Sequence, residues 1–207
     1  MTRDLVIARL KAGARQEPRL RRGVTVRRRG DHDMNGDDMR HPGPLRPAAV
    51  LIPLVDRGEG MTVLLTERTA HLTDHAGQVS FPGGRIEPED VSAEAAALRE
   101  AFEEVGLLPS VVEPVGRLDD YETRTGFLVH PIVAIVTPPF AVKPDPAEVA
   151  DIFEVPLAFI LDRRNHRRES RLYKGRERQF YVLPYEGRYI WGATASMLVN
   201  LTEVLVD

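Results

Sequence analysis

Three glutamates near the middle of the chain are spaced so that their side chains would project from one side of a helix. Glu100, Glu103 and Glu104 lie three and four residues apart, and such residues are neighbours on an α-helix. Carboxylates this close repel one another when all are ionised. One interpretation is an acidic, solvated helix face. The other is a site for a hard divalent cation, Mg²⁺ or Mn²⁺, since these ions prefer oxygen ligands.

The flanking residues indicate how such a helix is positioned. A strand over residues 79–81 leads into the Pro82-Gly83-Gly84 turn, and an alanine-rich run precedes the glutamates. Ser92 is a favourable N-cap, and Gly106 is typical of the left-handed residue that follows a helix. The sequence therefore predicts a helix over residues 93–105 that packs on a core through its alanines.

The whole arrangement resembles the Nudix box, G-x5-E-x7-R-E-U-x-E-E-x-G-U, in which U is apolar. The run from Arg99 to Leu107 matches the second half, with Ala101 as U. The first half departs twice: Asp90 replaces a glutamate, and eight residues rather than seven separate it from Arg99. Because the extra residue falls in the loop, the helical carboxylates keep their register. The resemblance implies an α+β fold, the Nudix α/β/α sandwich, with a mixed β-sheet between helices.

A second set of motifs resembles the coenzyme A diphosphatase subfamily. Its pattern, Leu-Leu-Thr-x-Arg, then His-x-Gly-Gln, then Phe-Pro-Gly-Gly, is matched within residues 64–84, although Thr69 stands where the family has Ser or Ala. Shorter matches are Thr125-Gly126-Phe127 and the run from Trp191 to Ala195. The resemblance covers about residues 48–198. It implies Mg²⁺- or Mn²⁺-dependent hydrolysis of the diphosphate bond of coenzyme A and its derivatives, giving 3′,5′-ADP and 4′-phosphopantetheine.

The same resemblance implies a set of substrate-binding residues. Arg68 would clamp a phosphate with its planar fork, although an ordinary ion pair at the sheet rim is an equal alternative. His75 and Gln78 would bind substrate or fix their own loop. Gly84 would permit close approach of the backbone. Arg99 is expected to orient the glutamates through a salt bridge, with a structural role for the loop carboxylate.

The general base is a choice between acidic residues. The attacking water must lose a proton to a carboxylate. Glu103 in the box and Glu148 in a loop are the favoured candidates, and the sequence leaves that choice open. Glu122, in another predicted loop, is the third candidate for the general base. The metal ligands implied by the box are Glu100, Glu103 and Glu104.

Apolar runs elsewhere in the chain predict the elements that hold this site. A continuous run over residues 48–55 predicts a strand buried on both faces, which forms a hairpin with residues 61–67. The stretch 163–171 is predicted to be a basic loop. Further elements are predicted as strands over residues 111–118 and 127–136, a strand and short helix within 148–161, a hairpin over 179–184 and 189–191, and a helix over 193–204.

The N-terminal region differs in composition from the rest. Residues 2–12 predict a short helix, and the next thirty or so are rich in arginine, then in Gly, Asp and Pro. We therefore divide the chain into an N-terminal helix and basic arm (1–46) and a Nudix domain (47–207). The arm is interpreted as loosely ordered or as a loop crossing the domain surface.

The net charge and the absence of cysteine limit the kinds of partner and site that we expect. A formal net charge of −3 gives no general case for nucleic acid or an anionic membrane, and the chain has no cysteine for disulfides or zinc–thiolate sites. The N-terminus lacks the apolar core of a signal peptide. We expect a cytoplasmic protein that acts on a small-molecule substrate without nucleic acid or membrane, as a monomer or homodimer.

Two other functions are compatible with the motifs. The first is a Nudix pyrophosphatase acting on ADP-ribose or another nucleoside diphosphate derivative, which would share the metal site. The second is a non-catalytic Nudix module that binds nucleotide or RNA through the arginine-rich arm. The intact glutamates argue against the second, because a silent module has no need of mutually repelling carboxylates.

Overall fold

The computed structural model describes residues 1–15, 28–70, 77–173 and 175–206. The helices are α1 (Arg3–Arg15), α2 (His32–Asn35), α3 (Ala93–Val105), α4 (Leu157–Leu161) and α5 (Gly192–Val206). The strands are β1 (Arg29–Gly30), β2 (Arg46–Asp56), β3 (Met61–Arg68), β4 (Val79–Ser80), β5 (Gly83–Arg85), β6 (Val112–Arg117), β7 (Tyr121–Glu122), β8 (Phe127–Val136), β9 (Val149–Pro156), β10 (Arg167–Tyr173), β11 (Arg176–Tyr185) and β12 (Arg188–Trp191). Within these ranges, no helix is both long and apolar enough to span a bilayer.

Strand β2 lies at the centre of a mixed sheet. It pairs in parallel with β8 and antiparallel with β3 and β5. Because successive side chains point to opposite faces, Leu51 and Val55 pack in one core cluster with the alanines of α3. Ile52 and Leu54 pack in the other, with the apolar residues of α1 and α5. This gives the predicted α/β/α sandwich with a mixed sheet between helices.

The described parts of the N-terminal region pack against this sandwich. Val6 and Leu10 of α1 are almost fully buried in the core that includes α5. Strand β1 pairs in parallel with β7, and Arg29 forms ion pairs with Asp119 and with Glu203 of α5. Most of the arginine-rich run, residues 16–27, lies outside the described residues. The division of the chain at residue 46 stays a prediction.

Two predicted loops contain strands. Glu122, expected in a loop, lies in β7, which pairs with β8. The stretch 163–171, expected to be a basic loop, contains a short 3₁₀ turn and then strand β10. Strands β10, β11 and β12 form a separate antiparallel sheet, which extends the predicted hairpin by one strand. All seven residues of β10 are exposed. The strand has no buried face, so its sequence carries no alternation of apolar and polar residues to indicate it.

The packing of α1 predicts a specific loss of stability. Leu10→Ala removes a side chain that is 2% exposed and should lower the free energy of unfolding by about 2–4 kcal/mol. Leu5→Ala, on the same helix but 43% exposed, is the matched control and should change it by less than about 0.5 kcal/mol. Urea denaturation of the full chain measures both. Equal effects of the two substitutions would show that α1 is not part of the core.

Candidate active site

Helix α3 brings two of its three glutamates into the protein. The Ser92 hydroxyl accepts a hydrogen bond from the Ala95 amide at 3.1 Å, and the helix is followed by Gly106 with φ 69°, as predicted. The side chain of Glu104 is 7% exposed and that of Glu100 is 17% exposed, whereas that of Glu103 is 55% exposed. The acidic face is therefore partly buried, unlike a simple solvated helix face.

The paired glycines form the surface against which these carboxylates lie. The Gly83 amide donates a hydrogen bond to Glu104 Oε2 at 3.2 Å. A Cβ atom at Gly84 would lie 2.5 Å from Glu100 Oε1, and one at Gly83 would lie 2.4 Å from the Ala49 carbonyl oxygen. Both distances are shorter than van der Waals contact. Glycine at position 83 therefore lets the turn lie against the backbone of β2, and glycine at position 84 leaves room for the Glu100 carboxylate.

Burial disfavours the charged form of both carboxylates. Burial, opposed by the Gly83 hydrogen bond and reinforced by the charges of Glu148 and Glu100, raises the pKa of Glu104 to about 7. Burial also raises the pKa of Glu100, against the lowering effect of Arg99 and with the charges of Glu103 and Glu148 adding to the rise. Glu148 therefore belongs to the same electrostatic cluster as Glu100 and Glu104.

Arg99 connects the box loop to the helix. It donates two hydrogen bonds to Asp90, from Nε to Oδ1 at 3.1 Å and from Nη2 to Oδ2 at 2.9 Å. Its Nη1 also donates to Glu100 and to Glu103, each at 2.9 Å. The Asp90 side chain is 7% exposed, and Arg99 holds its pKa below the ordinary value. The aspartate in the departing half of the motif thus has the structural role expected of the loop carboxylate.

Arg68, at the end of β3, lies between two carboxylates without a close hydrogen bond to either. Its Nη1 is 3.9 Å from Glu104 Oε1, and its Nη2 is 3.8 Å from Glu148 Oε2. Its Nε is buried and has no hydrogen-bond partner. Arg68 lines the cavity beside the glycine turn, so an oxygen-rich ligand such as a phosphate could accept hydrogen bonds from its guanidinium.

The three candidate bases have different surroundings. Glu122 is buried, and its carboxylate accepts hydrogen bonds from Arg40 Nη1 at 3.0 Å and from the His41 amide at 3.2 Å. Glu103 is held by Arg99. Glu148 has a side chain that is 48% exposed, and its charge acts on both Glu100 and Glu104. Of the three carboxylates, Glu122 and Glu103 accept close hydrogen bonds from arginines, whereas Glu148 lies 3.8 Å from Arg68 Nη2.

A cavity of about 430 Å³ adjoins the glycine turn and collects residues from separate motifs. Arg68, Gln78 and Gly83 line one side, while Gly84 faces Glu100 instead. The remaining wall includes residues of β8, of the loop before it, of the end of β12 and of the start of α5. Its residues include Thr123, Thr125, Phe127, Trp191 and Thr194.

The sequence did not indicate all of the residues that line this cavity. One residue that it did indicate lies outside the described part of the chain. Asp31 lines the cavity and is fixed by hydrogen bonds from the Tyr121 hydroxyl at 2.8 Å and the Arg124 amide at 2.9 Å. It comes from a polar stretch with no motif, so no sequence signal indicated it. Thr123 was likewise not singled out. His75, predicted to bind substrate, lies outside the described residues.

The carboxylates of helix α3 have the chemistry that a divalent cation needs in its ligands. In the described parts of the chain, no three acidic or histidine side chains are close enough, as they stand, to enclose an ion. Arg99 bonds to Glu100, and Arg68 lies beside Glu104. The chemistry nevertheless fits, because Glu100 and Glu104 are oxygen donors whose charges are disfavoured by burial and by each other. These two residues would hold the ion, with Glu103 at the exposed side.

Comparison with known proteins identifies the family. The model of the NUDIX domain matches residues 44–174. The chain is 40% identical over 168 residues to "Uncharacterized Nudix hydrolase NudL" of Escherichia coli (strain K12), covering 81% of this chain and 85% of that one. It is 41% identical over 162 residues to the protein of the same name from Shigella flexneri, covering 78% and 84%. The chain belongs to the family of Nudix hydrolases.

Solved structures show weaker likeness. The Nudix hydrolase RenU of M. smegmatis has a TM-score of 0.48 and 22% identity, covering 58% of this chain and 76% of that one. A MutT/nudix family protein from Enterococcus faecalis has a TM-score of 0.49 and 14% identity, covering 80% and 63%.

The raised pKa of Glu104 predicts a pH dependence of stability. The folded-state pKa, about 7, exceeds the ordinary glutamate pKa of 4.5, so the folded state binds the proton more tightly than the unfolded state. Stability contributed by the neutral carboxyl is present below pH 4.5 and is lost as the pH rises through 7. Glu104→Gln should remove this loss. Without divalent ions, it should be more stable than wild type by on the order of 3 kcal/mol at pH 8, and little different at pH 4.5.

Guanidinium denaturation in EDTA at both pH values measures this difference. Glu94→Gln, at an exposed position in the first turn of the same helix, is the control and should follow wild type at both. Parallel pH profiles for wild type and Glu104→Gln would contradict the burial of an unfavourable charge at this position.

Proposed function

We propose that the protein hydrolyses the diphosphate bond of coenzyme A and its derivatives, with Mg²⁺ as cofactor and Mn²⁺ as a substitute, to give 3′,5′-ADP and 4′-phosphopantetheine. The observation that carries this proposal is the single cavity lined by Arg68, Gln78 and Gly83, beside buried Glu104. Arg68 and Gln78 belong to the motif that resembles coenzyme A diphosphatases, whereas Glu104 belongs to the Nudix box. Residues of both sequence motifs therefore lie next to the same cavity.

The proposed role of the acidic residues is to bind a divalent cation, which offsets the negative charge of the reacting groups. A diphosphate repels an attacking hydroxide, and negative charge grows on the leaving oxygen. A divalent ion, when bound, neutralises phosphate charge and makes a water molecule more acidic. Glu100 and Glu104 would hold this ion, and Glu103 would contribute from the exposed side. Arg68 donates hydrogen bonds to phosphate oxygens, for which its Nε has no competing partner.

Glu148 completes the chemistry as general base. It accepts a proton from the attacking water, whose oxygen forms a new bond to one phosphorus. The bond from that phosphorus to the bridging oxygen breaks, and the bridging oxygen leaves with the other phosphate. The half-exposed Glu148 side chain has room to approach water, whereas Glu103 is engaged by Arg99 at 2.9 Å. Arg99 and Asp90 keep the helix in register with the loop.

The proposed substrate can be tested directly. Full-length protein with Mg²⁺ should cleave coenzyme A faster than ADP-ribose, NADH or dinucleoside polyphosphates, as measured by chromatography of the products. Appearance of 3′,5′-ADP and 4′-phosphopantetheine identifies the bond that is broken. A higher kcat/KM for ADP-ribose than for coenzyme A would overturn the assignment of substrate while leaving the Nudix chemistry in place.

The roles of the carboxylates predict an order of severity. Glu104→Gln should lower kcat by about a hundredfold or more, because metal and electrostatic stabilisation are lost together. Glu148→Gln should lower kcat by about 10²–10⁴-fold, as expected for the loss of a general base. Glu103→Gln should have the smaller effect on kcat. If Glu103→Gln lowers kcat more than Glu148→Gln does, the base is Glu103.

A further inference from the structure

A second cavity lies on one face of the small sheet formed by β10, β11 and β12. It has a volume of about 340 Å³, which suits a small planar group. Alternate residues of each strand point to this face, since side chains alternate along a strand. The lining consists of two arginines and four aromatic residues: Arg171, Arg178, Tyr173, Phe180, Tyr189 and Trp191.

The two arginines are placed against each other. Arg171 of β10 and Arg178 of β11 are directly paired across the antiparallel ladder, where like charges are destabilising. Among the described residues, neither guanidinium has a carboxylate within ion-pair distance, and Arg178 Nε is buried without a hydrogen-bond partner. Glu169 on the same face bonds to the Tyr189 hydroxyl at 2.6 Å instead. An anionic ligand would offset this repulsion and accept from the unused donors.

The aromatic residues provide flat apolar surface next to that charge. Tyr173 and Tyr189 are 48% and 45% exposed, which is large for aromatic side chains. Arg178 lies over the Tyr173 ring, 4.2 Å from its centroid. Phe180 and Trp191 meet edge to face, with centroids 5.4 Å apart. Aromatic faces stack favourably on nucleobases, and adjacent arginines bind phosphate bidentately.

Trp191 also lines the cavity beside the Nudix glycines, so the two cavities share a wall. A ligand with its diphosphate near Arg68 can therefore extend past Trp191 onto the small sheet. We propose that this sheet face binds the 3′-phosphoadenosine end of the substrate, with the base against the aromatic residues and the 3′-phosphate held by Arg171 and Arg178. The identity of this ligand rests on the proposed function; the chemistry of the face calls for a planar ring that carries a phosphate.

The experiment uses Trp191 itself as the reporter, because it is the one tryptophan in the sequence. Adenosine 3′,5′-bisphosphate is titrated into the full-length protein in EDTA, and adenosine 5′-monophosphate is the comparison ligand. The bisphosphate should quench the fluorescence and bind more tightly than the monophosphate. Arg171→Gln and Arg178→Gln should each weaken bisphosphate binding by about tenfold or more, from the size of charge-assisted hydrogen bonds, and leave binding of the monophosphate unchanged within about twofold.

Arg168→Gln is the matched control. Arg168 lies on the same strand as Arg171, but its side chain points to the opposite face and stacks over Tyr181. The control should bind the bisphosphate as wild type does. The Tm of each variant is measured by thermal denaturation as a control for folding. Because Arg171 and Arg178 repel each other, substitution of either residue should not lower Tm. Equal affinity of wild type and the two glutamine variants for the bisphosphate overturns the proposal.

Kinetics separate this inference from the proposed function. With coenzyme A, the Arg171 and Arg178 variants should raise KM by about tenfold and keep kcat, while KM for dephospho-coenzyme A stays unchanged. Cleavage of coenzyme A with unaltered KM in these variants overturns the inference alone. Arginine-dependent binding of the bisphosphate without cleavage of coenzyme A overturns the proposed function alone. Tighter quenching by a short single-stranded oligonucleotide, or a change of oligomeric state in the variants, would assign the face to another partner and overturn the inference.

Discussion

The arrangement of the site is governed by the burial of carboxylates whose charge is only partly offset by neighbouring groups. The Glu104 side chain is 7% exposed, and its charged form is disfavoured by burial and by neighbouring acids. Such a group is costly unless a compensating ligand is bound. The glycine turn, the alanines of α3 and the central strands bring it to this position. Binding of a hard cation would stabilise such an arrangement, because the ion would offset the charge of the carboxylates.

Two arginines contact the acidic cluster in different ways. Arg99 forms close bonds to Asp90, Glu100 and Glu103, which fixes the loop against the helix. Arg68 approaches Glu104 only to 3.9 Å and keeps an unpaired Nε. A close, multiply bonded guanidinium has few donors left for a ligand, whereas a loosely held one can exchange carboxylate for phosphate. The same residue type thus fixes the loop to the helix in one place and keeps unpaired donors in the other.

The sequence predicts an element well where one of its faces is buried, and poorly where none is. The bounds of α3, its Ser92 cap and strand β8 were predicted correctly because apolar periodicity and capping residues mark them. Strand β10 was missed because its residues are exposed on both faces. In the site, motifs pointed to Arg68 and Gln78, but Asp31 reaches the cavity only through tertiary pairing of β1 with β7. No local pattern encodes such a contact.

The parallel pairing of β2 with β8 has a consequence for how the protein is made. The paired residues are about eighty positions apart, and contacts between distant residues form late because a long loop must close first. The whole Nudix box leaves the ribosome before β8 does. A nascent chain that ends before residue 127 therefore carries the acidic helix without one side of its supporting sheet. Assembly of the site must wait still longer, because Trp191 and the first residues of α5 also line the cavity.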